Sequence, residues 1–129
     1  MSPGISDTSG KKKVLIVDDD DAFRVAVVRV LQEEGYTVVE ATDGAKGLEK
    51  AMKQSPDVIV SDVYMPNMNG FVMVEELQKD KKTSKIPVIM MTGVAQEAGA
   101  WSSDVAIEYL EKPFSLETLV DTVKRVLKS

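Results

Sequence analysis

Short, wholly apolar runs recur along the chain, each followed by a segment whose apolar residues return every three or four positions. Val14-Leu15-Ile16-Val17 is the first run, the signature of a strand covered on both faces. Behind it Phe23, Ala26, Val27, Val30 and Leu31 keep helical spacing, with Asp20 or Asp21 as N-cap and Gly35 as the stop. Thr37 to Ala41 reads as a β-branched strand, Asp43-Gly44 as a turn, and Ala45 to Gln54 as a helix ended by Ser55-Pro56. Val58-Ile59-Val60 is a further strand running into Ser61 and Asp62, and a loop with Pro66, Asn67, Asn69 and Gly70 leads to a helix beginning near Phe71. A charged, solvated connection over Asp80 to Lys85 precedes the strand Val88 to Met91. Val94 to Ser103 has a faint helical pattern, Ile107 to Leu110 is the last strand, and Ser115 caps a final helix through Leu116, Leu119, Val120, Val123 and Leu127.

Strands alternating with helices predict an α/β fold with a parallel sheet and helices on both faces. At 129 residues the chain holds one domain. Residues 1–11, mostly small and polar, read as a disordered tail, and residues 12–129 as the folded unit. The seven methionines read as core and loop filler.

Composition narrows the chemistry. With no Cys and no His, the chain has no disulfide, thiol nucleophile, thiolate zinc site or Ser–His triad. A net charge of −5 argues against direct nucleic-acid binding. No apolar run approaches the ~20 residues of a membrane span, so a soluble cytoplasmic protein is expected. What remains is carboxylates, hydroxyls, lysine and a hard metal ion.

In open α/β sheets, ligands bind beyond the carboxyl ends of the strands. There stand Asp18 and Asp19 after the first strand, Asp62 after the third, Thr92 after the fourth and Lys112 after the fifth. Singly these are ordinary: four consecutive acids cap a helix, and Thr92 and Lys112 are a turn hydroxyl and a surface cation. Together, three carboxylates at one rim repel one another unless a cation joins them, and oxygen-only donors point to Mg²⁺.

Val-Leu-Ile-Val-Asp18-Asp19, Ser-Asp62-Val-Tyr-Met65-Pro66-Asn-Met-Asn-Gly70, Met-Met-Thr92-Gly93 and Tyr109-Leu-Glu-Lys112-Pro113-Phe114 together resemble the response-regulator receiver domain, from about Lys12 to Leu127. The resemblance implies a five-stranded, flavodoxin-like, doubly wound sheet of order 2-1-3-4-5. It also implies a signalling switch, not an ordinary enzyme, that takes a phosphoryl group from a histidine kinase or histidine phosphotransfer protein. Asp62 would be the phosphoacceptor; Asp18, Asp19, Asp62 and the backbone carbonyl of Tyr64 would hold Mg²⁺. Thr92 and Lys112 would bind phosphoryl oxygens, and Tyr109 would be the aromatic switch.

The interval from Thr92 to Lys112 is about two residues shorter than is usual for such domains, and Val105-Ala106 stands where Gly-Ala is common. That bears on the output face, so the output partner stays unidentified and the expected state is a monomer or weak dimer. Two other readings compete. The chain could be the receiver portion of a longer transcriptional regulator or hybrid histidine kinase. More distantly, Asp18-x-Asp20 resembles an aspartyl-phosphate hydrolase of haloacid-dehalogenase type, a reading that leaves Asp62 without a role.

Overall fold

The computed structural model describes residues 10–93 and 107–128. The strands are β1 (Lys13–Val17), β2 (Thr37–Ala41), β3 (Val58–Asp62), β4 (Val88–Thr92) and β5 (Ile107–Glu111). Between and after them come α1 (Asp21–Glu33), α2 (Gly44–Gln54), α3 (Gly70–Gln78) and α4 (Leu116–Lys128). All strand pairs are parallel, in the order β2-β1-β3-β4-β5, as the family resemblance implies.

The wholly apolar runs follow from this layering. Val14 and Ile16 of β1 belong to one core cluster with Val27 and Leu31 of α1 and Leu119 and Val123 of α4. Leu15 and Val17, one position on, belong to the other cluster with Ala51 of α2 and Met73, Val74 and Leu77 of α3. Alternate residues of a strand point to opposite faces, so a sheet with helices on both sides needs apolar side chains at every position. Met73, Met90 and Met91 are fully buried, the filler role expected of them.

Local signals set the helix ends. Asp20, not Asp21, caps α1, its carboxylate accepting from the Phe23 N–H. Gly35, at φ 96°, lies just past the end of α1; its N–H donates to the Gln32 carbonyl and that of Tyr36 to Leu31, closing a Schellman motif. Ser115 caps α4 through the Thr118 N–H, and Asn69 caps α3 one residue earlier than expected. Asp43-Gly44 is not a free turn: Asp43 caps α2 and Gly44 is its first residue.

The connection over residues 80–85 departs from the solvated segment expected. Thr83 is buried, its hydroxyl donating to the Leu77 carbonyl at 2.6 Å, which folds the charged segment back onto the end of α3. The helix expected over Val94 to Ser103, the Val105-Ala106 pair and most of the N-terminal tail lie outside the described residues. Among the described residues no helix is long and apolar enough to cross a membrane.

Candidate functional site

The chain leaves β1 toward β2 on one side and later crosses back to β3 on the other, so the carboxyl ends of β1 and β3 flank the point where strand order reverses. Asp18 follows β1 directly, and its N–H donates to the Ala41 carbonyl at 3.1 Å. Arg24, one turn into α1 and largely buried, holds the acidic turn from behind. Its guanidinium donates to the Asp18 carbonyl at 2.8 Å, to Asp21 at 2.7 Å and to Glu40 at 2.9 Å. Asp18 is therefore inward and buried, while Asp19 stands exposed beside it.

Asp62 closes β3, its Oδ1 accepting from the Val63 N–H at 2.9 Å and from Lys112 Nζ at 3.1 Å. Lys112 comes from just beyond β5, and its backbone N–H donates to the Thr92 carbonyl at 2.7 Å. Thr92, buried at the end of β4, is thereby tied to Lys112 through the main chain. One carboxylate oxygen each from Asp18, Asp19 and Asp62 lie within 4.8 Å of one another. They open into a cleft of about 460 Å³ whose walls include Lys112, Phe23 and Phe114. The two rings meet edge to face at 6.2 Å.

Burial, the largest influence, pushes the Asp18 carboxyl up to about 6; the Asp20 N–H opposes it, Asp62 adds to it, Lys112 opposes it and Asp19 adds to it. Such a pocket carries more negative charge than its donors satisfy. Three hard oxygen donors at this spacing suit a small oxygen-seeking dication, which would convert their repulsion into shared attraction. A Mg²⁺ ion fits the donor set.

Tyr64, at the start of the β3–α3 loop, is 64% exposed. Tyr109 packs against the core cluster under α2 and α3; its hydroxyl is buried without a hydrogen-bond partner among the described residues, and burial raises its pKa. The sequence reading missed Arg24 and the cleft-lining role of Phe23 and Phe114. Phe23 lies on the apolar stripe of α1 and therefore reads as core. Asp20, the second acid of the hydrolase alternative, has its carboxylate engaged in capping α1.

The family model of the response regulator receiver domain matches residues 14–124. The chain is 42% identical over 127 residues to the sensor kinase CckA of Brucella abortus, covering 95% of this chain and 13% of that protein. It is 38% identical over 117 residues to protein PilH of Pseudomonas aeruginosa, covering 89% of this chain and 97% of PilH. The solved structure of the chemotaxis response regulator CheY4 of Vibrio cholerae superposes with a TM-score of 0.79 at 40% identity, covering 90% of this chain and 98% of that one. The chain thus spans nearly all of one relative and a small part of another.

Proposed function

The chain belongs to the response regulator receiver domain family, and on that premise we propose that it is a phosphoacceptor switch of a two-component phosphorelay, with Asp62 as the acceptor. The observation that supports this best is the meeting of Asp18, Asp19, Asp62 and Lys112 at the point where strand order reverses. A carboxylate is a weak nucleophile, so positioning and charge neutralisation must drive its attack on phosphorus. The Asp62 Oδ1 accepts from the Val63 N–H and from Lys112 Nζ, and Oδ2 is taken as the attacking oxygen. The P–N bond of a partner phosphohistidine breaks as the P–Oδ2 bond forms, and the imidazole leaves with its electron pair and takes a proton. These 129 residues hold no His, so the phosphohistidine lies outside them.

Asp18, Asp19 and Asp62, with the Tyr64 carbonyl, would hold Mg²⁺, which when bound neutralises charge on the phosphoryl oxygens. Lys112, which reaches Asp62, would pair with a phosphoryl oxygen, and the Thr92 hydroxyl would take another. Drawing Thr92 inward would move the end of β4, and Tyr109, whose hydroxyl has no partner among the described residues, would respond as the switch. Partners are a histidine kinase or histidine phosphotransfer protein in the cytoplasm, with residues 12–129 acting as one receiver unit behind an N-terminal tail. The 13% share of the CckA relative supports a second context, a receiver inside a longer regulator or hybrid kinase.

Incubation with acetyl phosphate and Mg²⁺, followed by mass spectrometry, tests the assignment. A phosphoryl adduct on Asp62 that disappears in Asp62→Asn is expected. An adduct on Asp18, or none at any residue, removes the proposal.

A further inference from the structure

Beside the cleft, a second polar arrangement joins the start of α2 to the β3–α3 loop. The Asp43 carboxylate is buried with both oxygens bonded: Oδ1 accepts from the Lys46 N–H at 2.8 Å and Oδ2 from the Asn67 side-chain amide at 2.8 Å. The next residue, Gly44, donates its N–H to the Met68 carbonyl at 3.0 Å, and a Cβ at position 44 would overlap that oxygen. The loop is closed by the Gly70 N–H donating to the Val63 carbonyl at 2.7 Å, and Asn67 sits in the left-handed region at φ 69°.

Capping does not by itself require a carboxylate here. A serine or threonine hydroxyl caps a helix comparably, and a buried ion is unfavourable unless its lone pairs are satisfied. The second oxygen of Asp43 therefore has another task, and its partner identifies it. Asn67 lies in the middle of the loop that begins at Val63, directly after Asp62, and passes through Tyr64. The loop's own short turn, a Met68 N–H to Pro66 carbonyl bond of 2.7 Å, is internal to it, whereas the Asn67–Asp43 and Met68–Gly44 bonds join it to the start of α2, beside the packing of Met65 and Met68 on the core.

We propose that Asp43 is a positioning residue for the phosphoacceptor loop, holding residues 63–69 through Asn67 so that Asp62 and the Tyr64 carbonyl keep their places at the cation site. This rests on the receiver reading above. It also makes the start of α2 a mechanical part of the site, because whatever orders the loop must order the first turn of that helix.

Two substitutions break the tie while sparing the helix cap and the backbone. Asp43→Ser keeps a capping oxygen for the Lys46 N–H and loses the oxygen that reaches Asn67. Asn67→Gly removes the amide at a φ that glycine adopts freely. In each variant, amide hydrogen exchange at Gly44, Met68 and Gly70 should quicken while exchange in the last turn of α2 stays as in wild type. Mg²⁺ affinity of the unphosphorylated protein, measured by calorimetry, should fall about tenfold, the low end for loss of an outer hydrogen-bond partner of a metal ligand. Because both variants remove one shared bond, the double variant should be no worse than either single one. Unchanged exchange, unchanged affinity, or additive losses in the double variant would each overturn the positioning role. A wild-type protein that binds no Mg²⁺ would instead remove the phosphoacceptor reading above, and the positioning role with it.

Discussion

Two aspartates at the same rim of the sheet, Asp18 beyond β1 and Asp43 beyond β2, are buried to nearly the same degree, 2% and 4% exposed. Their ionisation runs in opposite directions. Burial, with Asp62 and Asp19 adding to it, pushes Asp18 up to about 6, whereas the Lys46 N–H and the Asn67 amide hold Asp43 below its ordinary range. Among the described residues Asp43 has donors on both oxygens, and Asp18 has the Asp20 N–H on Oδ1. Burial alone therefore does not make a carboxylate a ligand site. A buried carboxylate with its donors in place is a structural anion, and one short of donors among like charges is poised for a cation.

The largest test of this contrast is pH. Between the ordinary aspartate value and about 6, the folded chain holds a proton on Asp18 that the unfolded chain has lost. Stability contributed by Asp18 is therefore greatest at low pH and declines as pH rises through that window. The shift of about two pK units corresponds to roughly 3 kcal/mol. Urea melts in EDTA from pH 4.5 to 8 should show the decline. Asp18→Asn, which keeps an oxygen for the Asp20 N–H, should flatten it and raise stability at pH 8. A wild-type profile that rises over this window would break the contrast.

Asp43→Ala should act with the opposite sign. Loss of the cap and an unsatisfied Asn67 amide destabilise by about 2 kcal/mol. Since the folded pKa of Asp43 is depressed, its contribution is fully present above the ordinary aspartate value and is lost as pH falls below it. A midpoint shift in urea that stays constant from pH 5.5 to 8 checks this; a shift that grows with pH would mean that Asp43 is not the anion inferred.

Asp19 is exposed, so water screens its repulsion, and Asp19→Ala should leave stability equal or slightly higher, by less than about 0.5 kcal/mol. It should nevertheless abolish Mg²⁺-dependent phosphoryl uptake, readable by mass spectrometry after acetyl phosphate. A large loss in thermal melts would make Asp19 structural. Lys112→Ala should have the smallest effect on the fold, because its pair with Asp62 is 41% exposed on the lysine side. Uptake should persist slowly. Without its nearby cation Asp18 should titrate at still higher pH, moving the stability decline upward. An unmoved decline would show that Lys112 does not sense the acidic cluster.

Much of this is legible in the order of residues alone. The apolar runs marked the strands, Asp20, Ser115 and Gly35 marked helix ends, and the polar residues following each strand marked the rim. These signals are local: periodicity and capping involve residues within a turn of one another, so the order of residue types records them directly. Phe23 was opaque because the residue that starts a core stripe and the residue that walls a cleft obey the same spacing. Thr83 was opaque because one hydroxyl buried within a charged run leaves no periodic trace.

By itself, then, the order of residues determined the alternation of elements, the absence of His and Cys chemistry, and the set of groups available at the strand ends. Which of those groups meet was decided by the tertiary structure. Lys112 reaches Asp62 across 50 positions and Asn67 reaches Asp43 across 24, and both contacts exist because β1 lies between β2 and β3, with β4 and β5 beyond. From the residues alone, Asp43 was a turn former like any other Asp-Gly. It became a buried anion, and Asp18 a carboxyl pushed toward its neutral form, only when packing settled how deeply each was buried and which donors and charges it would meet, and that is a property of the assembled sheet and helices.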